Sequence, residues 1–144
     1  MLDTRIATTW WALRIALGAT AFLAGLDKFF NLLTNWSMYL SPFAEGLLPF
    51  SGNTFMQLIG VIEMAVGIVI LFASPRFGGY IASAWLVAIS INLVLTGVFF
   101  DLAVRDLVMA VAAFSLARLS EYRQEVTASE SRSELASDHS PSRA

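Results

Sequence analysis

The chain has no cysteine and a single histidine, and only 14% of its 144 residues are charged. The lack of cysteine excludes disulfide bonds, thiol redox chemistry and cysteine-ligated metals. The histidine, His139, lies in a polar C-terminal segment, so the apolar part of the chain has no histidine ligand for haem, copper or zinc. A soluble domain carries about a quarter charged residues, so the low charge argues against one. The net charge of −2 gives no reason to expect a nucleic-acid partner.

Long apolar segments take the place of the missing charge, and hydrophobic residues make up 57% of the chain. A helix that crosses a bilayer needs roughly 20 mostly apolar residues. Lipid offers the backbone no hydrogen-bond partner, so such a segment must be helical. Four segments meet this requirement, and they cover residues 9–30, 55–73, 79–100 and 102–119. We therefore predict an all-α integral membrane protein whose residues 1–119 form a four-helix bundle in a lipid bilayer.

The segments between the spans predict three kinds of connection. Residues 74–79 contain one proline and two glycines and predict a short loop, and residues 100–102 leave only a tight turn between the third and fourth spans. Residues 31–54 carry many aromatic and aliphatic side chains and predict an outer loop in the headgroup region, which is either a lid or a simple interfacial anchor. Residues 120–144 are polar and predict a disordered tail.

Arginine and lysine placement predicts the orientation of the bundle. Cytoplasmic loops are enriched in these residues, and four of them fall on one side of the predicted membrane: Arg5, Arg76, Arg118 and Arg123. Lys28 and Arg105 fall on the other side. This distribution favours two cytoplasmic termini. An alternative interpretation makes the first span a cleaved signal peptide, although Arg14 interrupts the apolar run that such a peptide needs.

Small residues share helix faces with ionisable residues in three of the spans. On a helix of 3.6 residues per turn, the first span has a narrow stripe that contains Arg14, Gly18, Ala21, Gly25 and Lys28. The second span has Gly60, Glu63 and Gly67 on one face, and the fourth has Asp106, Ala110, Ala113 and Ala117. Small residues let membrane helices approach closely, so we expect these three faces to point inward.

Glu63 is the residue most indicative of a site. It lies about 12 Å along its helix from Phe55, at a rise of about 1.5 Å per residue. A carboxylate at that depth needs a partner or a proton, and the candidate partners are Lys28 and Arg105. The other candidate polar residues are Asp27, Asp106 and Asn92. Two interpretations stay open for this cluster, a ligand site and a set of structural pairs that hold the helices in register; Asn92 also fits an interhelical hydrogen bond.

The order of these residues resembles the DoxX family of small prokaryotic membrane proteins. The resemblance rests on Arg14, Gly18, Phe22, Gly25 and Lys28 in the first span, Glu63 and Gly67 in the second, and Arg105-Asp106 in the last. It implies a four-helix bundle in the prokaryotic inner membrane. The founding members of that family are associated with a thiosulfate:quinone oxidoreductase, so the resemblance also implies a link to membrane redox metabolism.

Three functions remain compatible with the residues. The first is an accessory subunit of a redox system that binds quinone, with Glu63 as proton acceptor and Lys28 or Arg105 orienting the head group. The second is a non-enzymatic assembly partner of another membrane protein, and the third is transport of a small solute by a homo-oligomer. We do not expect an enzyme that acts alone, because no nucleophile, base and orienting group can be assembled in the spans.

Overall fold

The computed structural model describes residues 4–138, which form five α-helices and no strand. The helices are α1 (Thr4–Asp27), α2 (Pro42–Leu47), α3 (Gly52–Ile68), α4 (Pro75–Leu95) and α5 (Phe100–Asp138). A 3-10 helix at Trp36–Tyr39 precedes α2, and a π-helical turn at Val69–Ala73 continues α3. The predicted all-α fold is confirmed. Within these described residues, three segments are long and apolar enough to cross a membrane, namely Thr4–Asp27, Gly52–Ala73 and Pro75–Leu95.

Two antiparallel helix pairs, α1 with α3 and α4 with α5, form the bundle. We call one end of it the loop end, where residues 28–51 connect α1 to α3, and the other the tail end, where α5 leaves the bundle. The connecting residues 28–51 are called the connecting segment.

Glycines set the distance between α1 and α3. A Cβ atom added to Gly25 would lie 2.5 Å from the Gly60 carbonyl oxygen, and one added to Gly67 would lie 2.7 Å from the Gly18 carbonyl oxygen. Gly18 and Gly25 are seven residues apart on α1, and Gly60 and Gly67 are seven residues apart on α3. A seven-residue repeat is typical of two helices that stay in contact over several turns. The backbones therefore touch at two levels. This contact is possible only because neither helix has a side chain there.

A second close contact joins α4 and α5. A Cβ atom added to Gly79 would lie 2.8 Å from the Ala113 carbonyl oxygen, and Ala113 and Ala117 are fully buried. The Ser90 hydroxyl donates to the Ala103 carbonyl oxygen at 3.1 Å, which joins the helices near the loop end. The inward face predicted for the last span is thus the face that meets α4.

Two helix boundaries differ from the sequence prediction. The predicted loop at 74–79 is reduced to Ser74, because the Ser74 hydroxyl caps the N-terminus of α4 and Pro75 occupies its first turn, where a missing N–H costs nothing. Gly78 and Gly79 therefore serve helix packing. The turn before α5 lies at residues 96–99 and not at 100–102, because Gly97, with φ of +74°, allows the chain to reverse there.

The C-terminal segment also differs from the prediction, because α5 continues as helix from Ser120 to Asp138 where a disordered tail is expected from the composition. The segment contains several good helix formers, namely glutamate, arginine, glutamine and alanine. It also continues a helix that has already formed in the bundle, so the unfavourable nucleation step of helix formation is avoided. Its first turn is attached to α1, since the Trp10 indole N–H donates to the Ser120 hydroxyl at 2.8 Å. His139 lies outside the described residues.

Arg14 closes the tail end of α3. Its Nε and Nη2 atoms donate to the carbonyl oxygens of Ile70 and Leu71 at 2.8 and 2.7 Å. The last carbonyl groups of a helix lack partners within the helix, and a cation at this end also interacts favourably with the helix dipole. Arg14 therefore belongs to the bundle as a cap, in addition to lying near the predicted interface.

Candidate functional site

A buried ion pair lies between α1 and α3 near the loop end. The Lys28 ammonium is 2.6 Å from Glu63 Oε2, and the side chains are 5% and 11% exposed. Lys28 directly follows α1, while Glu63 lies on the glycine face of α3, one turn after Gly60. An added Cβ at Gly60 would lie 3.1 Å from the Lys28 Cβ atom. The absence of a side chain at Gly60 thus makes room for the stem of Lys28, which brings the charges together.

Trp36 covers this pair from the connecting segment. The Lys28 ammonium lies 3.7 Å from the centroid of the Trp36 ring, a cation–π contact worth about 2 kcal/mol where the cation is desolvated. The Trp36 indole N–H donates to Asp27 Oδ2 at 2.8 Å. The indole is therefore held from two sides, by the charge of Lys28 and by the carboxylate of Asp27.

Asp27 organises the chain as it leaves α1. Besides the bond from Trp36, its carboxylate accepts the backbone N–H groups of Leu32 and Leu33 at 3.0 and 3.1 Å. These bonds fold the start of the connecting segment back over the end of α1. Asp27, Lys28, Trp36 and Glu63 thus form one continuous polar cluster, which we call the loop-end cluster.

Asp106 borders the loop-end cluster from α5. It is half-buried, and it interacts electrostatically with its neighbour Arg105 and with Glu63 and Lys28. Within residues 4–138 its carboxyl group forms no hydrogen bond or ion pair. The cluster therefore contains two carboxylates with partners, Asp27 and Glu63. Asp106 lies beside it and has no such partner within the described residues.

Two predicted site residues lie apart from the ion pair. Arg105 is exposed, and Lys28 is the partner of Glu63. Asn92 of α4 holds the connecting segment, because its amide donates to the Tyr39 carbonyl oxygen at 2.7 Å and accepts the Ser41 N–H at 3.0 Å. Asn92 therefore ties this segment to the bundle through two backbone bonds and does not join two helices.

The predicted packing residues occupy the α1–α3 contact. Gly18, Gly25, Gly60 and Gly67 are buried there, and Ala21 is partly buried. Trp36 belongs to the cluster but is not among the predicted site residues, because the sequence predicts only that it lies in an interfacial loop. A tryptophan eight residues after a lysine at a helix end is a weak signal, because its position depends on how the intervening turn folds.

The described residues 4–138 contain no group of three or more histidine, cysteine, aspartate or glutamate side chains placed to hold a metal ion. The arrangement instead offers a buried ammonium donor, a carboxylate acceptor and an aromatic face within a few ångströms of one another. No family model matches the chain, and neither a curated protein nor a solved structure matches it.

Proposed function

We propose that the chain is a DoxX-like protein of a prokaryotic inner membrane and that its loop-end cluster binds the head group of a membrane quinone, as an accessory subunit of a redox system. The observation that carries this proposal is the Lys28–Glu63 pair, buried at one end of an apolar bundle and covered by the Trp36 ring. A buried charge pair gives little net stability, so stability alone is a weak reason for its presence.

The donors and acceptors of the cluster fit a quinone head group. Lys28 has three N–H donors, of which one reaches Glu63, so another can donate to a quinone carbonyl oxygen. Glu63 Oε1 makes no hydrogen bond within residues 4–138 and is the atom that would hold a proton. Trp36 provides a flat aromatic face at the same place. A bound quinone supplies the oxidation and reduction, while these residues bind it, orient it and hold its proton.

The proposal includes a fourth span and an orientation. Residues 102–119 of α5 pack along α4. Arg105 and Arg118 lie near the two ends of this span, where long side chains can reach the interface. We place the loop end outside and both termini in the cytoplasm, because Arg5, Arg76, Arg118 and Arg123 all lie toward the tail end.

The absence of cysteine makes this orientation simple to test. Asn53→Cys at the loop end and Ser129→Cys on the exposed part of α5 each introduce a single thiol. In intact spheroplasts, a membrane-impermeant maleimide should label residue 53 at once and residue 129 only after permeabilisation. The opposite labelling pattern would contradict the orientation.

Quinone binding is tested on protein purified gently from its native membrane. Solvent extracts of wild type, Glu63→Gln and Glu45→Gln are compared for isoprenoid quinone per chain. Glu45 is an exposed glutamate of the connecting segment, so its variant makes the same chemical change away from the pair. We expect near-stoichiometric quinone in wild type and Glu45→Gln, and a clear loss in Glu63→Gln. Equal quinone in all three samples, or none in any, would contradict the proposal.

A non-enzymatic assembly role is the second candidate, and the length of α5 favours it. The helix continues to Asp138, and its residues from 127 onward are exposed, so it presents a helical surface to a partner or to a second copy of this chain. This role predicts that a membrane protein co-purifies in fixed ratio in mild detergent and stays bound in Glu63→Gln. Loss of that partner in Glu63→Gln would favour the quinone-linked role instead.

A further inference from the structure

A groove of about 470 Å³ lies at the tail end, away from the loop-end cluster. We call it the tail-end groove. Trp10 of α1 lines it, and its polar lining comes from α5: Ser120, Arg123, Gln124, Thr127 and Ser131. None of its lining residues is acidic. The groove therefore offers the positive charge of Arg123 together with the Gln124 amide and the Ser131 hydroxyl. The hydroxyls of Ser120 and Thr127 already donate to the carbonyl oxygens of Leu116 and Arg123.

Two guanidinium groups meet at Trp10 beside this groove. The Arg123 Cζ atom lies 4.0 Å from the centroid of a Trp10 ring, and the Arg14 Cζ atom lies 4.8 Å from it. The two cations are close enough to repel each other. Neither forms an ion pair with a carboxylate within residues 4–138, because the nearby Glu121 is bound to Arg76 and Arg118.

The hydrogen bonds of these two arginines are unequal. Arg14 donates from two nitrogens to carbonyl groups of the π-helical turn that follows α3. In contrast, Arg123 Nη1 is shielded from water and has no hydrogen-bond partner in the described part of the chain. A shielded donor without a partner is unfavourable, and more so when it is charged. An anion in the groove would bond to the Arg123 guanidinium and offset the repulsion from Arg14.

We propose that the tail-end groove binds the phosphate of an anionic phospholipid. The groove lies beside Trp10 and the adjacent, exposed Trp11, near one end of a helix that is long and apolar enough to cross a membrane. Tryptophan side chains gather at the level of the head groups, where phospholipid phosphate is abundant. Because Arg123 lines the groove and Arg14 lies near it on the same indole, the structure favours a head group with net negative charge over a zwitterionic one.

The test uses the full chain in detergent with added phosphatidylglycerol or phosphatidylethanolamine, and counts bound lipid by native mass spectrometry. Thr127→Glu places a negative charge in the groove at an exposed position, and Ser129→Glu makes the same charge change on α5 outside the groove. We expect wild type and Ser129→Glu to bind one phosphatidylglycerol in preference to phosphatidylethanolamine. In Thr127→Glu the affinity for phosphatidylglycerol should fall on the order of tenfold, as for the loss of a hydrogen bond to a charged group. Equal affinities in the two variants, or no preference in wild type, would overturn the proposal.

A second pair of variants removes positive charge instead. Arg123→Gln should lower the affinity for phosphatidylglycerol, whereas Arg132→Gln, on the exposed part of the same helix, should not. Circular dichroism of Arg123→Gln shows whether the helices are retained; if this variant does not fold, the glutamate variants decide the matter alone. Displacement of phosphatidylglycerol by millimolar inorganic phosphate would show that the groove takes a soluble ion, and would overturn the assignment to lipid.

Discussion

Methionine substitutions at Lys28 and Glu63 should destabilise the protein one at a time and have little effect together. The two charges are 2.6 Å apart, so at an effective dielectric constant of about 20 their attraction is about 6 kcal/mol. Removing both charges from water costs several kcal/mol per ion, which offsets most of this attraction. The net contribution of the pair is therefore small, although each charge depends strongly on the other.

The single variants leave one buried charge without its partner. Lys28→Met and Glu63→Met should each lower the free energy of unfolding by about 3–5 kcal/mol. The double variant, with two apolar side chains of similar length, should lie within about 1 kcal/mol of wild type. The measurement is reversible unfolding in mixed dodecylmaltoside and SDS micelles, monitored by far-UV circular dichroism. This signal reports helix content, so it does not depend on the loss of the Lys28 charge beside the Trp36 ring.

The interaction energy from this double-mutant cycle decides the outcome. We expect at least about 3 kcal/mol, within the range measured for close, desolvated charge pairs. If the effects of the two substitutions simply add, then Lys28 and Glu63 do not interact in the folded protein, and the geometry of the loop-end cluster is refuted.

Two further predictions concern the bundle and the connecting segment, and each has a matched control. Gly25→Ala should destabilise the fold by about 1–3 kcal/mol, as overpacking does, because the new Cβ would lie 2.5 Å from the Gly60 carbonyl oxygen. Gly46→Ala is the control, since its new Cβ meets nothing within 4 Å. Equal thermal stability of the two variants in detergent would contradict the close helix contact. Asn92→Leu should raise the rate of hydrogen exchange at the Ser41 amide about 30-fold, which corresponds to the loss of two hydrogen bonds of about 1 kcal/mol each. The control Asn53→Leu should leave this rate unchanged. An unchanged rate in Asn92→Leu would show that Asn92 does not hold the connecting segment.

The helices and the inward-facing sides of the bundle could be predicted from the sequence because both depend on local patterns. An apolar run of about 20 residues in lipid can only be helical, and the spacing of Gly60, Glu63 and Gly67 places them on one face whatever that face meets. The same reasoning was weaker at helix ends. The C-terminal segment has few apolar residues, so its composition predicts disorder. Its helical course depends instead on the bundle part of α5, which it continues, and on the Trp10–Ser120 bond.

The partner of Glu63 was decided only by the tertiary structure. Depth along a helix placed both Lys28 and Arg105 within reach, but depth does not say which helix lies against the glutamate. The glycine contacts bring α1 against α3, so Lys28 reaches Glu63 and Arg105 stays exposed. The position of Trp36 over Lys28 follows in turn from the bonds that Asp27 makes to the start of the connecting segment.

By itself, then, the sequence determined that the chain forms apolar helices and which residues on three of them share an inward face, since these properties follow from neighbours three or four positions apart. The tertiary structure decided which helices are in contact, and therefore which charges form a pair and where two arginines meet at one indole. It also decided that Asp106 has no ion pair within residues 4–138. These features join residues as many as 113 positions apart, from Trp10 to Arg123, and no local pattern carries that information.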